Sequence, residues 1–456
     1  MEIPHILAIP FAAQGHVIPL MELCQCLINQ GFKVTFVNTD HNHMRVINAM
    51  SNTSHIENQI RLVSIPDGME PWEDRNDLGK LCEATQKIMR VNLEELITKI
   101  NESESEKITC VIADESFGWA LEVAEKLNIK RAAFWPAAAA LLALGFSIPK
   151  LIHDAVINNN GVPMNNQKIQ LAPKMPTMKT EHLVWACIGD ATTQGIVFET
   201  MSRNNQYVKL ADWILCNSAN DLEPAAFAFA PEILPIGPML ASTRLGISSG
   251  SFWAEDLTCL EWLDLQPPSS VIYVAFGSFT VFDKTQFHEL ALGLEISKRP
   301  FLWVVREDIG DGRSHSYPDG FLESIGSRGR IVSWAPQQKV LGHGSIACFL
   351  THCGWNSTLE GVSNGVPFLC WPYFADQFMN ESYICDVWKV GLGFNRDESG
   401  IIKQGEIKAK VDQLLGDEEF KTRAFNLKEL TMNNVMAGGH SDIIFKNFME
   451  WINSQD

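Results

Sequence analysis

Short, wholly apolar runs alternate with amphipathic stretches along the first part of the chain. Ile6, Leu7, Ala8, Ile9 and Pro10 read as a buried strand, and residues 19–30 as a helix with Leu20, Leu23 and Leu27 on one side. Gly31 stops that helix, and a second strand is expected over 33–38. Strand, helix, strand at this spacing is a βαβ unit, which requires a parallel sheet covered by helices. The same grammar predicts a strand at 110–113, a helix at 119–127 and a strand at 132–135. The composition changes after Ile236, Gly237 and Pro238, where residues 240–250 are rich in Ser and Gly and lack periodicity. A new series then starts, with a strand at 271–276 ending on Gly277 and Ser278 and a helix at 284–297. Strands at 301–305, 330–333 and 348–351 follow. The pattern predicts an α/β chain of two doubly wound halves: residues 1–240, a linker at 241–255, and residues 256–456. No solenoid-type repeat interrupts it. In such sheets ligands bind outside the carboxyl ends of the strands, so two facing halves would hold their chemistry in an interdomain cleft.

Composition narrows the partners. With 456 residues, 46% of them hydrophobic, the chain can build two cores. A formal charge of −18 disfavours nucleic acid and anionic membrane, so an anionic ligand has to be held by backbone dipoles and a few placed donors. Eleven scattered cysteines in apolar runs (Cys110, Cys348, Cys370) read as buried thiols of a reducing compartment rather than a disulfide framework. Cys348, His352 and Cys353 invite a zinc reading, but no second pair at ligand spacing accompanies them. The amino-terminal run is too short for a signal peptide, and the window 132–148 carries Arg131 at its edge with Pro136 and Pro149. The expectation is a cytoplasmic monomer without stable membrane insertion.

The densest chemistry lies between Trp334 and Gln377. The strand ending at Thr351 is followed by His352, Cys353, Gly354 and Trp355, and Asn356 and Ser357 stand where a helix would begin. Backbone N–H groups and the helix dipole make such a point an anion site, to which His352, Asn356 and Ser357 add donors. Glu360, one turn further, can accept from a vicinal diol such as a ribose. A plain helix cap would explain Asn356 or Ser357 alone.

A second constellation sits near the amino terminus. His16 follows the first strand and precedes the expected helix, and Asp114 ends another strand of the same half. A histidine suits a general base because its ordinary pKa lies near neutrality, and a carboxylate can orient it. On the residues alone, His41 and His43 also follow a strand, and Glu115 competes with Asp114.

The string from Trp334 through Gln377 resembles the signature box of plant secondary-product UDP-glycosyltransferases of inverting glycosyltransferase family 1, and its general look is nearest the group-83 branch. The resemblance runs from the glycine-histidine turn at Gly15 and His16 to Gly438, Gly439, His440 and Ser441. It implies the GT-B fold, two Rossmann-like domains, with the last helix packing back on the first. Trp334 would stack on uracil while the Ala335 backbone bonds its edge, and Gln337 and Glu360 would hold the ribose. His352, Gly354, Asn356, Ser357 and Ser278 would surround the diphosphate, and Trp355, Asp376 and Gln377 the sugar. A glutamine at the last position of the box implies glucose, so the donor co-substrate would be UDP-glucose, with no cofactor and no metal. His16 would be the base and Asp114 its partner, giving a β-glucoside by one inverting displacement.

One departure stands out. The family commonly places a Thr or Ser after the strand ending in Trp135; here the run is Pro136 followed by Ala137, Ala138, Ala139 and Ala140. The acceptor pocket is expected on apolar and aromatic loops of the first half, from Trp119, Leu141, Phe146 and Trp185, with Phe374 from the second. These suit a small lipophilic aglycone such as a flavonoid, phenolic or terpenoid. Two other readings are a nucleotide-sugar binder without turnover and a nicotinamide-dependent oxidoreductase. Intact His16 and Asp114 speak against the first, and the absence of Gly-x-Gly-x-x-Gly after the first strand speaks against the second.

Overall fold

Strands buried on both faces must be apolar at successive positions, and this is how the first strand of the chain reads. In the computed structural model, which describes residues 3–50, 60–240, 255–306 and 317–454, the chain divides into two units. One comprises Met1–Trp253 with Asn433–Asp456, and the other Ala254–Met432. All but the last residue of the expected linker lies outside the described residues.

The first unit is built on a parallel sheet of β1 (His5–Ile9), β2 (Lys33–Thr39), β3 (Ile60–Ile65), β4 (Cys110–Asp114) and β5 (Lys130–Trp135). A small antiparallel hairpin of β6 (Lys168–Ile169) and β7 (Met178–Lys179) follows, then β8 (Trp213–Cys216) and β9 (Ile233–Pro235). The sheet order is β3-β2-β1-β4-β5-β8-β9. Successive side chains of β1 enter opposite layers: Ile6 and Ala8 join one apolar cluster, Leu7 and Ile9 the other. The first cluster also takes Phe445, Phe448 and Ile452 from the C-terminal helix His440–Asn453. That helix is tied down further by Ser441, whose hydroxyl donates to the Gly237 carbonyl at 2.7 Å, and by Lys130, which donates to the Trp451 carbonyl.

The second unit repeats the plan with β10 (Val271–Ala275), β11 (Phe301–Val304), β12 (Gly329–Val332), β13 (Ile346–Thr351), β14 (Phe368–Cys370) and β15 (Gly391–Gly393), ordered β12-β11-β10-β13-β14-β15 and all parallel. In each sheet the strand order reverses beside the first strand: between β1 and β4 in one, between β10 and β13 in the other. The loops leaving a sheet diverge at such a point and open a crevice at its carboxyl edge.

The first helix departs furthest from the sequence reading. The first helix runs Gln14–Asn29, so His16 lies in its opening turn and Pro19 inside it. A proline suits a first helical turn, but Pro19 lies further in. Here it costs the helix one backbone hydrogen bond, toward the exposed Gly15, and the helix continues through it. All eleven cysteines are thiols. Among the described residues, no helix is long and apolar enough to cross a membrane.

Candidate active site

The reversal point of the first sheet brings together two residues almost a hundred positions apart. Register pairs Ile9 with Ala113, so the chain leaves β1 toward His16 and ends β4 on Asp114 at the same sheet edge. His16 Nδ1 lies 2.8 Å from Asp114 Oδ2. The carboxylate is fully buried, and its other oxygen accepts from the Ser116 backbone N–H at 2.9 Å. The imidazole is 27% exposed. An imidazolium formed on this ring would be stabilised by the fixed negative charge of the carboxylate. Glu115 takes no part in this contact: burial, and then the charge of Asp114, push its carboxyl up to about 8.

The Phe11 ring packs 5.2 Å from that of His16 and 5.3 Å from Phe117, which in turn lies 5.0 Å from Trp119. Phe11, Phe117 and Trp119 line a small chamber of about 10 Å³, room for about one water. Its remaining lining is Ser116 and residues of two packed helices, Leu78–Ile100 and Ala191–Tyr207. Of the five expected acceptor residues only Trp119 reaches it. Leu141 is buried, and Phe146 packs against the apolar cluster that includes Phe117 and Trp119. Trp185 is 1% exposed, its indole donating to the Gly161 carbonyl at 2.8 Å while it packs on Phe198. Phe374 belongs to the second unit, where it lies edge-on to Phe279. The sequence reading missed Cys82, Thr85 and Gln86 on one helix and Thr200, Arg203 and Asn204 on the other. Their signal was present as polar residues three and four apart, which share one helix face.

The alanine run has a structural account. Ala138, Ala139 and Ala140 are fully buried. The carboxylate of the buried Glu223 accepts from the backbone N–H groups of Ala139 at 2.8 Å and Ala140 at 3.1 Å, capping the helix Ala139–Phe146. The Ser218 hydroxyl donates to the same carboxylate at 2.5 Å.

In the second unit the reversal point assembles most of the expected donor residues. Register pairs Ala275 with Thr351, so Ser278 and His352 leave adjacent strands at one edge. The helix Trp355–Asn364 starts at once, with an extended Gly354 as its cap and no side-chain cap on its N–H groups. Asn356 and Ser357 therefore lie in its first turn, where the backbone presents donors and a partial positive charge. Two glycines make room for the imidazole. A Cβ on Gly277 would lie 2.5 Å from His352 Nε2, and one on Gly354 2.6 Å from it; Gly277 also holds a φ of +66°. Packing around the ring lowers the His352 pKa to about 4, helped by the charge of Arg306. The ring is therefore neutral near pH 7. Arg306 is itself buried and donates to the carbonyls of Gly277 and Thr280, the latter at 3.0 Å. Sequence reasoning passed over this arginine, whose position just beyond β11 offered no motif.

Gln337 opens the helix Gln337–Leu341 and organises the next group. Its Oε1 accepts from the Tyr273 hydroxyl at 3.0 Å, and its Nε2 donates to Ser357 at 2.9 Å and to Glu360 at 2.6 Å. The other Glu360 oxygen accepts from Gln338 at 3.3 Å. Burial outweighs these bonds and raises the Glu360 carboxyl to about 7. Trp334 stays half-buried, and its carbonyl accepts from the Asp256 N–H at 3.0 Å; Ala335 beside it is buried. Ser278 is half-buried and makes no hydrogen bond among the described residues. Trp355 is buried against Tyr383 and Trp388.

Gln377 points its Oε1 at the backbone N–H groups of Tyr373 (2.7 Å) and Phe374 (3.1 Å), which leaves Nε2 as the end able to meet a sugar. Asn380, absent from the sequence reading, donates both to the Asp376 carboxylate at 2.7 Å and to the Cys353 carbonyl at 2.8 Å. It thereby ties the loop before Gln377 to the turn at His352, four residues along its helix from Asp376.

Residues 246–437 match the family model described as UDP-glucoronosyl and UDP-glucosyl transferase. The chain is 48% identical to UDP-glycosyltransferase 83A1 of Arabidopsis thaliana, over 99% of this chain and 97% of that one. It is 34% identical to linamarin synthase 1 of Manihot esculenta, over 98% and 96%. Among solved structures, Phytolacca americana UGT2 complexed with UDP-2fluoro-glucose and pterostilbene superposes with a TM-score of 0.82 at 29% identity, covering 99% of both chains. A Polygonum tinctorium UDP-glucosyltransferase capable of glucosylating indoxyl, in complex with dichloroaniline, gives a TM-score of 0.83 at 27% identity, again over 99% of both.

Proposed function

Since the chain belongs to the plant family 1 UDP-glycosyltransferases and shares their GT-B fold, we propose that it transfers glucose from UDP-glucose to a hydroxyl of a small lipophilic acceptor, with inversion. The observation that carries this reading is the 2.8 Å contact between His16 Nδ1 and the buried Asp114 carboxylate. It sets a fixed carboxylate against a part-exposed imidazole, the arrangement a general base needs. His16 is the base and Asp114 the residue that positions it. The acceptor O–H loses its proton to His16 as its oxygen bonds the anomeric carbon, and the bond from that carbon to the phosphate oxygen breaks.

The leaving UDP carries the negative charge that develops. The first turn of the helix Trp355–Asn364, together with His352 and Ser278, supplies dipoles aimed at it. Glu360 and Gln337 form the ribose end of the site and Trp334 the base end. Asp376, Trp355 and the Nε2 of Gln377 receive the sugar, which favours a hexose with several hydroxyls, here glucose. The eleven thiols suit the cytosol, where we place the protein acting as a monomer.

The test is transfer from UDP-glucose to a panel of phenols by wild-type and His16→Ala protein, with the product's anomeric configuration read by NMR. A β-glucoside formed by wild type and lost in His16→Ala is expected. An α-product, or undiminished transfer in the variant, would refute the mechanism.

A further inference from the structure

One buried amide in the second unit touches both turns that the proposed function assigns to the sugar donor. Asn380 is fully buried, and its Nδ2 donates to the Cys353 carbonyl at 2.8 Å and to Asp376 Oδ2 at 2.7 Å. The first acceptor lies in the turn that carries His352 and Gly354 into the helix Trp355–Asn364. The second lies in the loop that ends at Gln377. Each turn contains a non-glycine residue in the left-handed region, Cys353 at a φ of +65° and Ala375 at +57°. Such residues hold that conformation only where their surroundings impose it. The Asn380 amide is a shared anchor for the two.

Chemistry fixes the direction of that amide. A carbonyl and a carboxylate are both acceptors, so the reversed amide would set oxygen against oxygen twice. With Nδ2 serving both, Oδ1 is left buried and meets no donor among the described residues. A stranded buried acceptor is costly, and an apolar side chain would strand none. Packing alone therefore does not call for an amide at this position. The two donated bonds do.

Resting on the reading above, in which Asp376 receives the sugar, we propose that Asn380 is the residue that positions this carboxylate for the sugar of the donor. Asn380 is too deeply buried to touch the donor itself. Its bond to Oδ2 sets the plane of the Asp376 carboxylate, and its bond to Cys353 ties that plane to the turn beside the diphosphate. The sugar and the diphosphate of one donor molecule are thereby gripped at a fixed separation. The first turn of the helix Trp355–Asn364 is held by its own backbone bonds and persists without the amide. Asn380 accordingly acts on the sugar half of donor binding far more than on the nucleotide half.

The test is calorimetry on the full chain with UDP and with UDP-glucose, at pH 8 and at pH 5.5. The quantity read is the ratio of the two affinities, in which effects common to the nucleotide cancel. Asn380→Ala should shift that ratio against UDP-glucose by ~10–100-fold at both pH values. Made in an Asp376→Ala background, the same change should shift it no further. Asn380→Asp sets two carboxylates together, and a proton shared between them restores a donor at low pH. Its ratio should match Asn380→Ala at pH 8 and recover in part at pH 5.5, a response that space-filling would not produce. Circular dichroism and thermal unfolding verify that the variants are folded.

An unchanged ratio in Asn380→Ala, a full shift that persists in Asp376→Ala, or no recovery of Asn380→Asp at pH 5.5 overturns the proposal. A ratio indifferent to Asp376→Ala takes the sugar away from that carboxylate and this role with it. Binding is read without an acceptor, so the two readings fail separately. The expected ratios in a protein that transfers nothing retire the His16 mechanism and leave this role standing. Formation of a β-glucoside with a ratio indifferent to Asn380 retires this role alone.

Discussion

The Gln337 amide donates to the Glu360 carboxylate at 2.6 Å while the same amide's oxygen accepts from Tyr273, so the end of the site proposed for the ribose rests on a glutamine clamped at both ends. Glu360 is held as a buried acid with its carboxyl raised to about 7. Its charged form is the better acceptor for ribose hydroxyls. UDP affinity should therefore rise as pH increases through 7, and Glu360→Gln should weaken UDP by ~10–100-fold while flattening that rise. Calorimetric titrations at pH 6 and pH 8 decide this; equal pH dependence in both proteins would remove Glu360 from the ribose site.

Glu115 makes a separate prediction about stability. Its folded-state carboxyl stands at about 8, against 4.5 for the free group, because it is buried beside Asp114. Between those values the folded protein binds more protons than the unfolded one, so stability falls as pH rises. The contribution is fully present below about 4.5 and lost by about 8. Glu115→Gln should reduce the decline in stability between pH 5 and pH 8 by on the order of 3–4 kcal/mol. Urea denaturation at the two pH values measures it, and an unchanged decline would show that Glu115 ionises freely.

The space around His352 predicts a strong response to a single methyl group. Gly354→Ala would put a Cβ 2.6 Å from His352 Nε2. The imidazole must then move off the helix N-terminus, and UDP affinity should fall tenfold or more with little change in helix content. Unaltered affinity in Gly354→Ala would mean that this ring does not contribute to nucleotide binding.

Arg306 supports the same imidazole from behind. Arg306→Met removes the donors to the Gly277 and Thr280 carbonyls and the positive charge that, after burial, helps hold His352 below its ordinary pKa. The expected result is a loss of ~1–3 kcal/mol in stability from buried carbonyls left unpaired. NMR should also find the His352 pKa moved upward. A titration unchanged from wild type would separate Arg306 from His352.

Asp114→Asn keeps the shape of the carboxylate and removes its charge. The fall in kcat should be ~10²–10⁴-fold, with the acid limb of the pH–rate profile displaced, because an asparagine cannot stabilise the imidazolium. A variant that loses KM alone would show that Asp114 serves acceptor binding instead.

The two-part α/β organisation was legible in the residues because buried parallel strands demand apolar runs, and the helix 284–297 was read with the bounds it has. The box from Trp334 to Gln377 was legible for a related reason: its members are close in sequence, and a strand end followed by a helix start fixes where they stand. Less was readable where partners are distant. The proline at 19 hid the true start of the first helix. The Glu223 cap on Ala139 and Ala140 joins residues more than eighty apart, so nothing local announced it. Trp185, expected in the acceptor pocket by its aromatic character, is instead consumed in packing against Phe198.

The choice of Asp114 over Glu115 shows where that division falls. Sequence alone determined that two adjacent carboxylates end a strand, and that a histidine follows another. Strand alternation sends neighbouring side chains to opposite faces, and only the parallel register of β1 against β4 decided which carboxylate meets His16. The same holds for Arg203. Its residue type and helical spacing were written in the chain, but the pairing of Ala191–Tyr207 with Leu78–Ile100 placed it in the chamber, and that pairing depends on side-chain packing between segments about a hundred residues apart.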